Sequence, residues 1–297
     1  MTAELINLRA GNTTASISTR GAEPHTWTVA GHDFLWSGDP AHWSYRAPIL
    51  FPVVGASREG QIHVDGHAYP MPQHGFARTS VFQVMERSGS VARLRLTDTE
   101  ETRRHYPYAF ALEVTVRLEA ACLALAFEVE NLDERPLPYA VGFHPAFPWP
   151  LHMSDRDGHR VVFEEAEDPL VPEIASGGLI STRGRSIPLE GRVLPLRPDL
   201  FTEALCFLEA RSRWLRFEGP SGAAILMEVE GFPHLAVWSR PTAPFLSLEA
   251  WSGYAEPEDF SGELTRRPSI ALLPPQGCAR HSVRLRAELP MRGRSAS

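Results

Sequence analysis

From Phe110 to Glu119 (FALEVTVRLE) apolar and polar positions alternate residue by residue. Cys122 to Asn131 (CLALAFEVEN) repeats the pattern after only Ala120 and Ala121. A period of two sends successive side chains to opposite faces of a strand, so the two runs predict an antiparallel hairpin. Arg93 to Leu96, Trp214 to Glu218, Ala224 to Glu230, Leu235 to Ser239, Phe245 to Trp251 and Ser282 to Leu289 carry the same period. Asp65-Gly66, between short β-prone runs, predicts a type I′ turn with positive φ at both positions. Helical period is scarce; Pro48 to Gly55 and Pro198 to Glu203 have room for a turn or two. Residues 156–191 are polar, Gly/Pro-rich and weakly patterned, which reads as long loops with short strands, and 291–297 reads as a disordered tail. Many strands, few helices and no linker predict an all-β fold, a single large antiparallel β-sandwich over residues 1–290.

Composition narrows the chemistry. At 297 residues and 43% hydrophobic, the chain can bury a sizeable core. The net charge of −7 argues against binding to nucleic acid, which needs clustered positive charge. All 29 basic residues are arginine. Without lysine no Schiff base forms on the chain, and no phosphate-binding P-loop is present. Codon bias in a G+C-rich genome accounts for the missing lysine, but the chemical exclusions hold whatever its cause. Cys122, Cys206 and Cys278 are far apart and form no C-x-x-C pair, so neither a zinc ribbon nor a dithiol redox site is expected. Residues 1–11 lack the apolar core of a signal peptide, and no run reaches the length of a membrane span. A soluble, reducing, cytoplasmic setting is the expectation, with no membrane partner.

Four segments break the strand pattern: Arg46 to Gly55 (RAPILFPVVG), Pro72 to Arg78 (PQHGFAR), Val141 to Phe147 (VGFHPAF) and Leu246 to Gly253 (LSLEAWSG). In the last, Phe245, Ser247, Glu249 and Trp251 share one face of a strand, while Leu246, Leu248 and Ala250 share the other. A carboxylate between aromatics suits a sugar, whose C–H face asks for a ring and whose hydroxyls ask for charged partners. A solvent-facing Glu on a half-exposed strand explains the residue equally simply and is commoner. His144 lies among Phe143, Pro145, Phe147 and Trp149, and a buried imidazole needs a partner. It is either a satisfied core histidine or a general acid. His74, beside Gly75, carries the same two readings. His63 and His67 straddle the Asp65-Gly66 turn and could meet across it, but no third ligand has metal-site spacing. No H-E-x-x-H, G-x-S-x-G or G-x-G-x-x-G motif occurs.

In combination and in this order, the segments resemble the aldose 1-epimerase (galactose mutarotase-like) family, and within it the LacX-type branch. The matching stretches also include Gly231 to Ser239 (GFPHLAVWS), and together they span residues 46–253. The resemblance implies a β-supersandwich with a sugar site on its concave face and a cofactor-independent, metal-free isomerase acting on a small aldose. It implies that Glu249 is the general base and His144 the general acid. It also places His74, Arg46, Arg78, Glu203 and Trp251 at the sugar. The mechanism it implies needs an ionised Glu249 and a charged His144, and a neighbouring carboxylate is expected to raise the histidine's pKa. Three departures stand out. Ala56 follows Gly55 where the family often has arginine, leaving Arg58 as a substitute. Glu203 replaces the usual Asp, and Ala250 the usual proline. A hexose-6-phosphate epimerase and a non-catalytic carbohydrate-binding protein of the same fold are the alternatives; a monomer and a homodimer both remain open.

Overall fold

A computed structural model describes residues 3–152 and 154–290. The predicted tail at 291–297 lies outside the described residues. Strands dominate, and the ladders between them are antiparallel. The hairpin Phe110–Glu119 with Cys122–Asn131 forms with the bounds that its alternation predicts. It sits near one side of a nine-stranded sheet that also holds Val91–Thr97, Trp214–Glu218, Ala224–Glu230 and Cys278–Glu288. The Asp65-Gly66 turn has φ of 51° and 77°, as a type I′ turn requires.

A six-stranded sheet carries the segments with candidate chemistry. Phe245–Trp251 is its spine, flanked by His234–Trp238 on one side and by Gly142–Phe143 and Ala146–Pro148 on the other. Every residue of the spine is buried, which removes the half-exposed strand as an explanation of Glu249. Leu246, Leu248 and Ala250 join the main core together with Val114, Leu125 and Leu285 of the nine-stranded sheet. The other face meets different cover. Trp36, Ala146, Ala243 and Phe245 cluster at one end, and Leu50, Val54, Cys206, Ala236, Trp251 and Ala255 at the other. The odd-numbered spine residues, Glu249 among them, therefore lie between the sheet and its outer cover.

Two expectations need correction. Pro48 to Gly55 holds no helical turn; it forms the short strand Ile49–Leu50 and then bends, ending at Gly55 with φ 73°. Its hydrogen bonds go to distant residues: Phe51 O accepts from Phe76 and Ala77 N–H, and Phe51 N–H donates to His74 O. These leave no local i→i+4 ladder. His63 and His67 do not meet. The register pairs His63 with Ala68 and Val64 with His67, so the two rings point to opposite faces of the hairpin. Among the described residues no group of three His, Cys, Asp or Glu is placed to hold a metal ion. A short helix that the alternation did not predict, Glu100–Arg103, begins where Thr99 Oγ1 accepts from Thr102 N–H. No helix among the described residues is long and apolar enough to cross a membrane.

Candidate active site

Register builds the hollow. Glu249 lies opposite Ala236, which lies opposite Cys206 on the next strand. Ser247 lies between Trp238 and Ala146. Directly opposed residues share a face, so small side chains at 146, 206 and 236 surround Ser247 and Glu249 and leave space above them. That space is a cavity of about 330 Å³, at the lower end of the roughly 300–1,000 Å³ typical of small-molecule sites. His74, Arg78, His144, Glu203, Glu249 and Trp251 all line it, although they lie far apart in sequence.

His144 occupies a break between two short strands that both pair with the spine. Pro145 cannot donate to a ladder, and its free carbonyl accepts instead from Leu248 N–H and from Ser247 Oγ at 2.7 Å. The imidazole folds over the spine, with Nδ1 2.8 Å from Ser247 Oγ and Nε2 3.1 Å from Glu249 Oε1. Glu249 Oε2 accepts from Trp251 Nε1–H at 3.0 Å. Glu249 is 1% exposed and His144 7%. Burial pushes the Glu249 carboxyl well above the usual carboxylate range. Burial also pushes His144 well below the usual imidazole range, helped by His74 and Arg78. The expected lift of His144 by its carboxylate neighbour is thus outweighed by desolvation. Burial thus favours the neutral form of each group, and the 3.1 Å contact places Nε2 and Oε1 within reach of proton exchange.

His74 is a different kind of group. It takes a left-handed backbone conformation, φ 66°, which is uncommon for a residue with a side chain. Its own N–H donates to Gly55 O at 2.8 Å, and Gly55 N–H donates to His74 Nδ1 at 3.1 Å. A backbone N–H can only donate, so Nδ1 is bare and the ring proton sits on Nε2. Burial, then Arg78, pushes the pKa down to about 3. His74 is a neutral hydrogen-bond donor across the neutral range. Gly75 makes this possible: its φ is 70°, and a Cβ there would lie 2.1 Å from Phe51 O. Gly75→Ala is expected to cost at least about 1–3 kcal/mol from backbone strain and overpacking together. Urea unfolding would measure the loss; an unchanged midpoint would mean that the Phe51–Gly75 crossing does not constrain the fold.

The remaining expected residues divide. Arg78 lines the cavity, stacks over Tyr45 at 4.9 Å and donates from Nη2 to Gln73 O at 2.7 Å. Arg46 does not line it. Its guanidinium packs against Gly38, while its backbone N–H donates to Glu23 Oε1 at 2.7 Å. Placing Arg46 at the sugar is therefore corrected: the residue shapes the loop through its backbone. Arg58 does not replace the missing arginine either, since it reaches away to Glu258 O, Phe260 O and Glu256. Ala56 instead meets Gly178, in the turn of the hairpin formed by Leu170–Ala175 and Leu179–Ser186. A long side chain at 56 would collide with that turn. Glu203 lines the wall, but Oε1 lies 3.0 Å from Arg185 Nε and Oε2 accepts from Ile174 N–H at 2.8 Å. It ties the hairpin to the cavity edge.

Sequence reasoning passed over Trp43, Trp238 and Ser247 as site residues. Trp43 stacks on His144 at 4.8 Å and meets Trp238 edge-on at 5.5 Å; both are half-buried and form an aromatic wall. Trp43 comes from a loop with no regular pattern, so nothing local marked it. Ser247 did carry a signal, because it shares a strand face with Glu249. Cys206 lines the cavity as a thiol pushed above the usual range by burial and by Glu249 and Glu203, which suits packing rather than reaction.

A mostly antiparallel β-fold, holding a buried carboxylate–imidazole pair under an aromatic wall, defines the class. The family model for aldose 1-epimerase matches residues 4–266, and the chain belongs to that family. It is 30% identical over 265 residues to the plasmid-encoded protein LacX of Lactococcus lactis subsp. lactis, covering 85% of this chain and 88% of LacX. A galactose mutarotase-like protein from Lactobacillus casei superposes with a TM-score of 0.89 at 28% identity, covering 96% of this chain and 100% of that one. A galactose mutarotase related enzyme from Lactobacillus acidophilus gives 0.89 at 23% identity over 97% and 99%, a likeness of fold. The galactose mutarotase-like fold expected from the sequence is the observed one.

Proposed function

We propose that this protein is a mutarotase, interconverting the α and β anomers of a small aldose by acid–base ring opening. The observation that carries the reading is the 3.1 Å contact between His144 Nε2 and Glu249 Oε1 at the cavity wall. Anomerisation removes a proton from O1 and delivers one to O5. Both oxygens are bonded to C1, so the groups that serve them must stand side by side. Glu249 takes the O1 proton, and His144 gives its Nε2 proton to O5 as the C1–O5 bond breaks. The open aldehyde turns about C1–C2, and O5 re-adds to the other face. On closure neutral His144 recovers the O5 proton and Glu249 returns one to O1, so the enzyme ends as it began. His74 Nε2–H offers a fixed donor to a hydroxyl, and Trp43 with Trp238 supports the C–H face. Desolvation strengthens the chemistry, because an ionised buried carboxylate is a stronger base and a charged buried imidazole a stronger acid. Each group is worth roughly 10²–10⁴-fold in rate. Timing the mutarotation of freshly dissolved α-anomers by polarimetry, across a panel of aldoses, tests the activity. Tight sugar binding by calorimetry without faster mutarotation would instead identify a sugar-binding protein.

The pH dependence follows from the shared proton. The active state has one proton between Nε2 and Oε1. Burial moves uptake of a second proton well below the ordinary imidazole range of His144 and loss of the last well above the ordinary carboxylate range of Glu249. Expected is a flat kcat through neutrality. A rate that falls through pH 6–7, as an ordinary imidazole discharges, would overturn this assignment of the two groups.

One observation favours a sugar phosphate over a free sugar. Arg78 and Arg240 both line the cavity, and neither forms an ion pair among the described residues. Free guanidinium donors suit a phosphate oxyanion. Comparing kcat/KM for glucose and glucose 6-phosphate decides the point: Arg78→Gln should penalise a phosphorylated substrate more than a free one.

A further inference from the structure

Ser247 is fully buried, and its hydroxyl has two neighbours: Pro145 O at 2.7 Å and His144 Nδ1 at 2.8 Å. A serine has one hydroxyl proton to give. A carbonyl oxygen cannot donate, so a 2.7 Å oxygen–oxygen contact is stable only if the Ser247 proton lies on it. The hydroxyl then meets His144 with a lone pair, and Nδ1 must carry the hydrogen. The other ring nitrogen, Nε2, is left facing Glu249 Oε1. Glu249 is fixed in the same sense, since Trp251 Nε1–H occupies Oε2 and leaves Oε1 to share the proton.

We propose that Ser247 is a positioning residue that holds a proton on His144 Nδ1 and thereby reserves Nε2 for proton exchange with Glu249. The tautomer itself follows from geometry alone; its kinetic consequence rests on the acid–base reading above. With Nδ1 protonated, a proton gained at Nε2 makes an imidazolium, which is a competent acid. With Nδ1 bare, an Nε2–H belongs to a neutral imidazole, which is a far weaker acid and sits against an ionised carboxylate. Ser247 excludes that second state, because bare Nδ1 and the lone pair of Oγ would face each other at 2.8 Å. The other groups facing the ring do not choose between the nitrogens. Trp43 stacks on it, Trp238 and His74 meet it edge-on, and Arg78 adds positive charge from the cavity wall. The arrangement mirrors His74, where a backbone donor at Nδ1 enforces the opposite tautomer. One site thus holds two histidines with opposite proton positions, one fixed to donate and one free to exchange.

The test is a histidine ¹⁵N–¹H correlation spectrum of the full chain, with the His144 signals assigned by their loss in His144→Asn. Expected is protonated Nδ1 in His144 and protonated Nε2 in His74. A wild-type His144 with bare Nδ1 overturns the proposal, whether or not the protein turns over a sugar. Ser247→Ala leaves Pro145 O its bond from Leu248 N–H, so no backbone acceptor is orphaned. In that variant Nδ1 can lose its proton without losing a partner. His144 should shift to the Nε2–H tautomer, and the alkaline limb of kcat should move to lower pH. At neutral pH kcat should fall on the order of 10–100-fold with KM little changed, as when an orienting partner is taken from a functional histidine. Ser247→Thr, which keeps the hydroxyl, should restore both the tautomer and the pH profile. An unchanged tautomer and alkaline limb in Ser247→Ala would show that the hydroxyl only fills space. Should the wild type show the expected tautomer but no anomerisation of any sugar, the mutarotase reading fails and the proton assignment stands.

Discussion

Glu249→Gln should fold as the parent does and lose at least about 10²–10⁴-fold in mutarotation rate, the worth of a positioned base. The amide matches the carboxylate in shape and can satisfy both of its neighbours. Its oxygen accepts from Trp251 Nε1–H where Oε2 does now, and its NH₂ donates to His144 Nε2 in place of the shared proton. Only the capacity to take a proton is gone. Stability provides a second readout. Burial raises the folded-state pKa of Glu249, so the wild-type protein loses stability as pH rises above the unfolded carboxyl's value of 4.5 towards the folded one. Glutamine does not titrate, and the variant should equal or exceed the wild type in Tm at neutral pH. Polarimetry of a fresh α-anomer and a thermal melt suffice. A near-wild-type rate in a folded variant would remove Glu249 from the reaction.

His144→Asn should lose a comparable factor in kcat while sugar binding persists. The asparagine NH₂ can still donate towards Ser247 Oγ, as Nδ1–H does, so the buried hydroxyl keeps a partner. Nothing titratable remains opposite Glu249, and O5 must leave without a proton. Binding should survive because His74, Arg78, Trp43 and Trp238 are untouched. Calorimetry against kcat separates the roles. If affinity collapsed in step with turnover, His144 would be a sugar contact and the proton donor would lie elsewhere.

The two variants probe a pair that no local stretch of sequence reveals. Alternation marked Phe245–Trp251 as a strand and put Glu249 and Ser247 on one face, which is correct. Read locally, though, a Glu on an alternating strand is a solvent-facing residue. Its complete burial comes from cover supplied by the loop holding Trp36 and Trp43 and by Val54 and Ala255. Arg46 shows the opposite error: a motif arginine turned away to pack on Gly38, because its backbone, not its guanidinium, is what the loop uses. The direction in which each pKa of the pair moves was likewise out of reach. It depends on how completely both groups are dehydrated, which residue identity does not encode.

The sequence by itself determined the elements. A period of two, punctuated by glycine and proline, is a local property and needs no knowledge of partners, so strand positions and the all-β class were readable. The absence of lysine and of paired cysteines set chemical exclusions in the same way. Only the tertiary structure decided which side chains meet, which face of the six-stranded sheet is covered, and where the protons sit on His74 and His144. Those depend on register between strands more than a hundred residues apart and on hydrogen-bond partners that arrive from elsewhere in the chain: Gly55 for one histidine, Ser247 for the other.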